Sequence, residues 1–74
     1  MKAILEFNLP DDTQEFKMAV QGADMFSALW EIDQWLRSQI KYAPDSMHKE
    51  AYKAYEDSRT HLHQFLNKYN IDLG

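Results

Sequence analysis

Residues 2–9 alternate between apolar and polar positions, as in an extended chain. One side carries Ala3, Leu5, Phe7 and Leu9, and the other side is mostly polar. Period-two alternation with one apolar side is typical of a half-buried β-strand. Pro10 ends the pattern because proline has no backbone N–H to donate within a sheet. We therefore predict an N-terminal strand over residues 2–9.

Two helical segments follow the predicted strand. Asp12 and Glu15 have the three-residue spacing of a capping box, so we expect a first helix to begin at Asp12. Gly22 is a natural place for that helix to stop or bend. Asp24 can cap a second helix that runs to about residue 42.

The last third of the chain predicts another helix. Residues 42–46 read as a turn, since Pro44 disfavours helical backbone at the residue before it. A third helix is predicted over about residues 46–69, with Asn70 ending it and a short tail of two apolar residues after it. Its main seam has heptad-like spacing and comprises Ala51, Tyr55, Ser58, Leu62, Phe65 and Tyr69.

The second predicted helix has a broad apolar arc that also holds two opposite charges. Asp33 and Arg37 both lie inside this arc, four residues apart. This spacing allows an ion pair within one helix, and the surrounding apolar residues suggest that the pair is partly buried. We predict a structural ion pair between Asp33 and Arg37. The alternative is that Arg37 points outward and binds an anion or a partner's carboxylate.

These elements predict an α+β fold that is mostly α, with one strand and a helical-hairpin core, in a single domain over residues 1–74. A single strand needs a partner to be stable. The same strand from a second copy could pair with it antiparallel, so we expect a homodimer whose contacts include Ile4, Leu5 and Phe7. The alternative is an extended arm that packs on the helices.

Composition narrows the classes of function. The net charge of −4 argues against general nucleic-acid binding, and the absence of cysteine excludes disulfides and cysteine nucleophiles. Two glycines are too few for a phosphate-binding loop. His61 and His63 point in nearly opposite directions on a helix, so they do not form a metal site. We therefore expect no catalytic activity, no cofactor and no metal.

Cations and aromatic side chains concentrate near the turn between the last two predicted helices. This predicted patch comprises Trp35, Arg37, Lys41, Tyr42 and Tyr52, with Lys49 and Lys53 nearby. Tryptophan, tyrosine and arginine are frequent at the centres of protein interfaces. Cations beside aromatic rings can also hold a nucleotide. The patch therefore fits self-association, a partner protein or a small ligand.

Three stretches of the chain resemble a group of short proteins of tailed bacteriophages. They are LEFNLPDD, ALWEIDQWLRSQIKYAPD and LHQFLNKYNIDL, and the resemblance extends from near the start of the chain to near its end. Similar proteins have a glycine near the end, where this chain has Asn70 and Ile71. The resemblance implies an accessory protein made in the cytoplasm of a bacterial host, and it brings no known activity to this chain.

We therefore expect a small non-catalytic accessory protein that binds a host or phage protein, for example in counter-defence or in recombination or replication. The alternative is an oligomeric sponge that sequesters a nucleotide between subunits. We expect a location in the host cytoplasm, because residues 1–10 do not read as a secretory signal and no apolar run of 18 residues could cross a membrane.

Overall fold

A computed structural model describes all residues, 1–74, and shows two helices joined by a short turn. Helix α1 covers Thr13–Lys41 and helix α2 covers Lys49–Lys68. Trp35 of α1 contacts Tyr55 of α2, and Asp33 of α1 contacts Arg59 and His63 of α2. An earlier position on α1 thus meets a later position on α2. The fold is thus an antiparallel helical hairpin, with the tail after residue 70 folded back beside α1.

The predicted N-terminal strand is wrong, and with it the α+β class. Residues 1–8 have no regular secondary structure, and Ile4 and Leu5 are exposed. Alternating apolar residues form a strand only where another strand supplies backbone partners, and this chain supplies none. The segment instead forms an extended arm in which Phe7 packs on Phe16, with ring centroids 5.7 Å apart. A dimer that pairs strands through Ile4, Leu5 and Phe7 therefore has no strand on which to form.

The start of α1 is stabilised differently from the predicted capping box. The Asp12 side chain caps no backbone N–H within the helix; its carboxylate accepts the backbone N–H of Asn8 at 2.9 Å. The Asp12 N–H donates to the Asn8 carbonyl at 2.7 Å, and the Thr13 hydroxyl donates to the Pro10 carbonyl at 2.6 Å. These contacts fix the loop that leads from the arm into the helix.

Helix α1 is continuous through Gly22, where we expected a stop or bend. A glycine inside a helix destabilises it by only about 1 kcal/mol relative to alanine. The helical residues on both sides of Gly22 stabilise α1 by more than this, so the helix continues through it. Gly22 also has no other side chain near it, because a Cβ added there would meet nothing within 4 Å. The first two predicted helices are therefore one helix of 29 residues.

Helix α2 begins at Lys49, three residues later than predicted. His48 precedes it with extended backbone, and its Nδ1 atom accepts the Glu50 backbone N–H at 3.2 Å. The helix ends as expected near Asn70, which has a left-handed φ of 55°. The Ile71 N–H then donates to the Leu66 carbonyl at 2.8 Å, a hydrogen bond of the kind that closes Schellman motifs.

The core of the hairpin is small. Leu36 from α1 and Leu66 from α2 are the buried apolar residues, and Asp33 is the one buried charged residue. Half-buried residues surround them: Leu29, Ile40, Tyr52, Tyr55, Arg59 and Leu62. The seam of α2 is therefore rotated from the predicted one, since Phe65 and Tyr69 are exposed while Tyr52, Arg59 and Leu66 face α1. Neither helix combines the length and apolar character needed to cross a membrane.

Candidate protein-binding surface

A buried carboxylate links the two helices at mid-length. Asp33 of α1 accepts a hydrogen bond from Arg59 Nε at 2.9 Å, and Arg59 Nη2 reaches its second oxygen at 3.5 Å. His63 Nε2 lies 2.6 Å from the same carboxylate as a second partner. Arg59 and His63 are one turn apart on α2, so both reach the same point on α1. Together they supply the partners that a buried charge requires.

The pKa of Asp33 lies below its ordinary value. The hydrogen bond from Arg59 is the largest cause, because it stabilises the ionised carboxylate. Burial acts in the opposite direction, and the hydrogen bond with His63 again favours the charged form. The carboxylate is thus held ionised as a structural link between the helices.

The predicted ion pair between Asp33 and Arg37 is wrong. Arg37 is exposed and forms no salt bridge, while Arg59, which is 26 residues further along the chain, occupies the place expected for it. The i, i+4 spacing made Arg37 the obvious partner, but the antiparallel packing of α2 brings a bidentate partner to the carboxylate. A signal for this arrangement was present, since Arg59 and His63 share one side of α2 with Tyr55, Leu62 and Leu66.

A row of exposed apolar side chains runs along the carboxyl-terminal part of α1. At 100° per residue, Ile32, Trp35 and Tyr42 lie within about 80° of one another on the helix. Their exposed fractions are 49%, 55% and 71%. We call these three residues the Trp35 strip. Tyr55 of α2 meets the Trp35 ring edge-on, with centroids 5.8 Å apart and an interplanar angle of 74°.

The structure divides the predicted aromatic and cationic patch. Trp35 and Arg37 are two residues apart, so they point about 160° apart on α1. Arg37 borders the groove on the other side of the hairpin, with Asp33, Arg59 and His63. Tyr52 is half-buried. Lys41 stays with the strip, because its Nζ lies 5.4 Å from the centroid of the Tyr42 ring.

The largest groove on the hairpin is polar. It is lined by Ile40, Glu56, Arg59, Thr60, His63, Gln64 and Asn67. No phenylalanine, tyrosine or tryptophan lines this groove beside Arg59 and His63. The groove also does not include Trp35, Lys41 or Tyr42. No group of three or more histidine or acidic side chains is placed to hold a metal ion. His61 instead lies near Phe65 on the exposed side of α2.

Comparison of the chain with models of known protein families, with curated proteins and with solved structures finds no match.

Proposed function

We propose that this protein is a non-catalytic accessory protein that binds another protein through the Trp35 strip. The observation that carries the proposal is that Trp35 remains 55% exposed in the part of α1 that α2 covers. Packing against α2 could have buried this ring, yet the ring faces solvent between Ile32 and Tyr42. Tryptophan and tyrosine side chains in such positions supply much of the binding energy at protein interfaces.

The spacing of the strip fits one mode of recognition. Ile32 and Trp35 are three residues apart on one side of α1, and Tyr42, the residue directly after the helix, follows Trp35 by seven. Spacings of three and seven are typical of the anchors of a helix that lies in a hydrophobic groove. The partner chemistry that suits the strip is therefore an apolar groove, with room for one tryptophan and one tyrosine. Lys41, held over the Tyr42 ring, places a positive charge at the edge of the contact.

Tyr55 restricts the motion of the central anchor. Its ring contacts Trp35 edge-on, which limits the orientations of the indole before any partner arrives. A side chain that is already ordered loses less entropy on binding. We therefore expect Tyr55 to strengthen partner binding, although its half-buried ring offers less surface to the partner.

The absence of catalysis is part of the proposal. The charged groups that converge in the hairpin, Asp33, Arg59 and His63, bind one another and link the helices. The resemblance to proteins of tailed bacteriophages supports a setting in the bacterial cytoplasm, where the chain would occupy a host or phage protein in counter-defence, recombination or replication. The nucleotide-sponge alternative gains nothing from the geometry, since the groove that contains Arg59 and His63 has no aromatic wall.

Quantitative capture from bacterial lysate tests the proposal. The tagged chain is compared with Trp35→Ala and with Phe65→Ala, which removes a similarly exposed aromatic ring from the far part of α2. We expect Trp35→Ala to reduce recovery of the bound protein by about 30-fold, since an interface anchor contributes roughly 2 kcal/mol. Phe65→Ala should reduce it by less than about threefold.

Two results would overturn the proposal. One is equal recovery of every protein by the Trp35→Ala and Phe65→Ala variants, both with wild-type helix content by circular dichroism. The other is a wild-type chain that captures no protein above a tag-only control.

A further inference from the structure

A second apolar surface lies on the amino-terminal part of α1. Met18, Met25, Phe26 and Trp30 form it, and we call it the amino-terminal face. Their exposed fractions are 50%, 46%, 43% and 46%. Between residues 17 and 31 the charged side chains of α1 are Lys17, Asp24 and Glu31, which recur every seven residues. At 100° per residue these charges lie on the opposite side of the helix, within an arc of about 40°.

The amino-terminal face continues the side of α1 that already packs on α2. At 1.5 Å per residue, α1 is about 44 Å long and α2 about 30 Å, so about the first nine residues of α1 extend beyond the end of α2. The tail reaches back only as far as the groove that Leu73 forms with Phe26 and Trp30. From residue 13 to residue 28, the one half-buried side chain is Phe16, which the arm contacts through Phe7.

The chain as a whole exposes more surface than a compact protein of its mass. The chain exposes 6634 Å². A compact protein of 8.8 kDa exposes about 4,800 Å². The difference, about 1,800 Å² over the whole chain, exceeds the roughly 800 Å² that a standard protein interface takes from each partner. The radius of gyration, 17.5 Å, likewise exceeds the value of about 11 Å for a compact chain of this length.

We propose that a second copy of this chain covers the amino-terminal face, with the two α1 helices antiparallel and crossing near Gly22. A two-fold axis there places Met18 of one copy beside Phe26 of the other, so the same face serves both chains. No charged side chain lies between residues 18 and 30 on this face, so identical surfaces meet without like charges in contact. Gly22 leaves open space at the crossing point, where a Cβ would meet nothing within 4 Å.

Solution mass is the first test. Light scattering of the wild-type chain should give twice the 8.8 kDa of one copy. Phe26→Lys should weaken association more than about tenfold, since it buries a charge in an apolar contact. Val20→Lys is the matched control, because Val20 is 66% exposed on the charged side of the same helix. A wild-type monomer at every concentration overturns the proposal, and so does equal weakening by both substitutions.

Cysteine cross-linking gives a second test that does not depend on how Phe26→Lys folds. The chain has no native cysteine, so one introduced thiol reports on one position. Helices that cross at an interaxial distance of about 8–10 Å bring facing Cα atoms within disulfide range. Mild oxidation should therefore link Gly22→Cys into a covalent dimer at least about tenfold faster than Asp24→Cys, which lies on the opposite side. Equal rates for the two variants overturn the proposed crossing.

Discussion

At the scale of single residues, Asp33 carries the main electrostatic contact of the hairpin. Its carboxylate is buried between two helices and meets Arg59 and His63, both from α2. Removing one member of such a cluster leaves the others with unmet hydrogen bonds. Because Arg59 and His63 are partly exposed, water can replace the carboxylate for them more readily than for a fully buried cation. Losing Arg59, which leaves the buried carboxylate without its bidentate partner, should therefore cost more stability than losing Asp33.

The lowered pKa of Asp33 predicts how stability changes with pH. In the unfolded chain this carboxyl titrates near its ordinary value of 3.8, and in the folded chain it titrates lower. Its contribution to the free energy of unfolding is therefore present above the ordinary value and is lost as the pH falls through the folded value. Urea unfolding between about pH 5 and pH 2 should show a smaller acid-induced loss for Asp33→Asn than for the wild type.

A matched substitution separates this effect from that of the other carboxyl groups. Asp24→Asn changes an exposed carboxylate of the same helix that makes no ion pair, so it should keep the wild-type dependence on pH. Equal pH dependence in Asp33→Asn and the wild type would contradict the role assigned to the cluster.

The two arginines near Asp33 should differ in their effect on stability. Arg59→Ala removes the bidentate partner and should lower the free energy of unfolding by about 1.5–3 kcal/mol, the range for hydrogen bonds to charged groups. Arg37→Ala changes an exposed side chain without an ion pair and should cost less than about 0.5 kcal/mol. Chemical denaturation of both variants measures the difference. A greater loss for Arg37→Ala would restore the pair predicted from the i, i+4 spacing.

At the scale of the helices, the hairpin depends on very few apolar contacts. Leu36 and Leu66 are its two buried apolar side chains. Replacing either with alanine should cost about 2–5 kcal/mol, which is a large fraction of the stability of so small a domain. Thermal unfolding followed by circular dichroism should show Leu36→Ala and Leu66→Ala largely unfolded at 37 °C. Val20→Ala, on an exposed side of α1, should unfold within a few degrees of the wild type, and a similar loss in all three variants would contradict this account of the core.

The sequence predicted features that depend on neighbouring residues. The start of α1 near Asp12, the turn around Pro44 and the end of α2 near Asn70 all follow from local backbone preferences. The prediction of a strand over residues 2–9 is wrong because alternation shows which side chains would share a face, but it does not show whether a second strand is available for pairing. The prediction of a bend at Gly22 is wrong because one residue of low helix propensity does not interrupt a helix whose other residues favour helical structure.

Features that depend on packing between helices were harder to predict. Arg59 meets Asp33 only because α2 runs antiparallel to α1 at one register, and spacing within a single helix cannot show this. The structure divides the predicted patch, since Trp35 and Tyr42 share an exposed surface while Arg37 lies on the opposite side of α1. The seam of α2 is rotated from the predicted one: Tyr55 and Leu62 are half-buried as expected, whereas Phe65 and Tyr69 are exposed.

At the scale of the whole molecule, the chain is elongated and incompletely covered. It measures 55 × 28 × 19 Å, and only three of its 74 residues are buried. A chain with so small a core gains stability when another surface covers its exposed apolar side chains. The Trp35 strip and the amino-terminal face lie on different parts of α1, so one chain could hold a second copy and a partner protein together.

The measurement that tests this account most directly is amide hydrogen exchange along α1 at two protein concentrations about a hundredfold apart. Residues 29–40 lie against α2 and should be protected at both concentrations. Residues 17–27 are exposed in a single copy, so they should exchange rapidly in the dilute sample and become protected in the concentrated one. Rapid exchange of residues 17–27 at both concentrations would contradict the account, because the amino-terminal face would then remain uncovered.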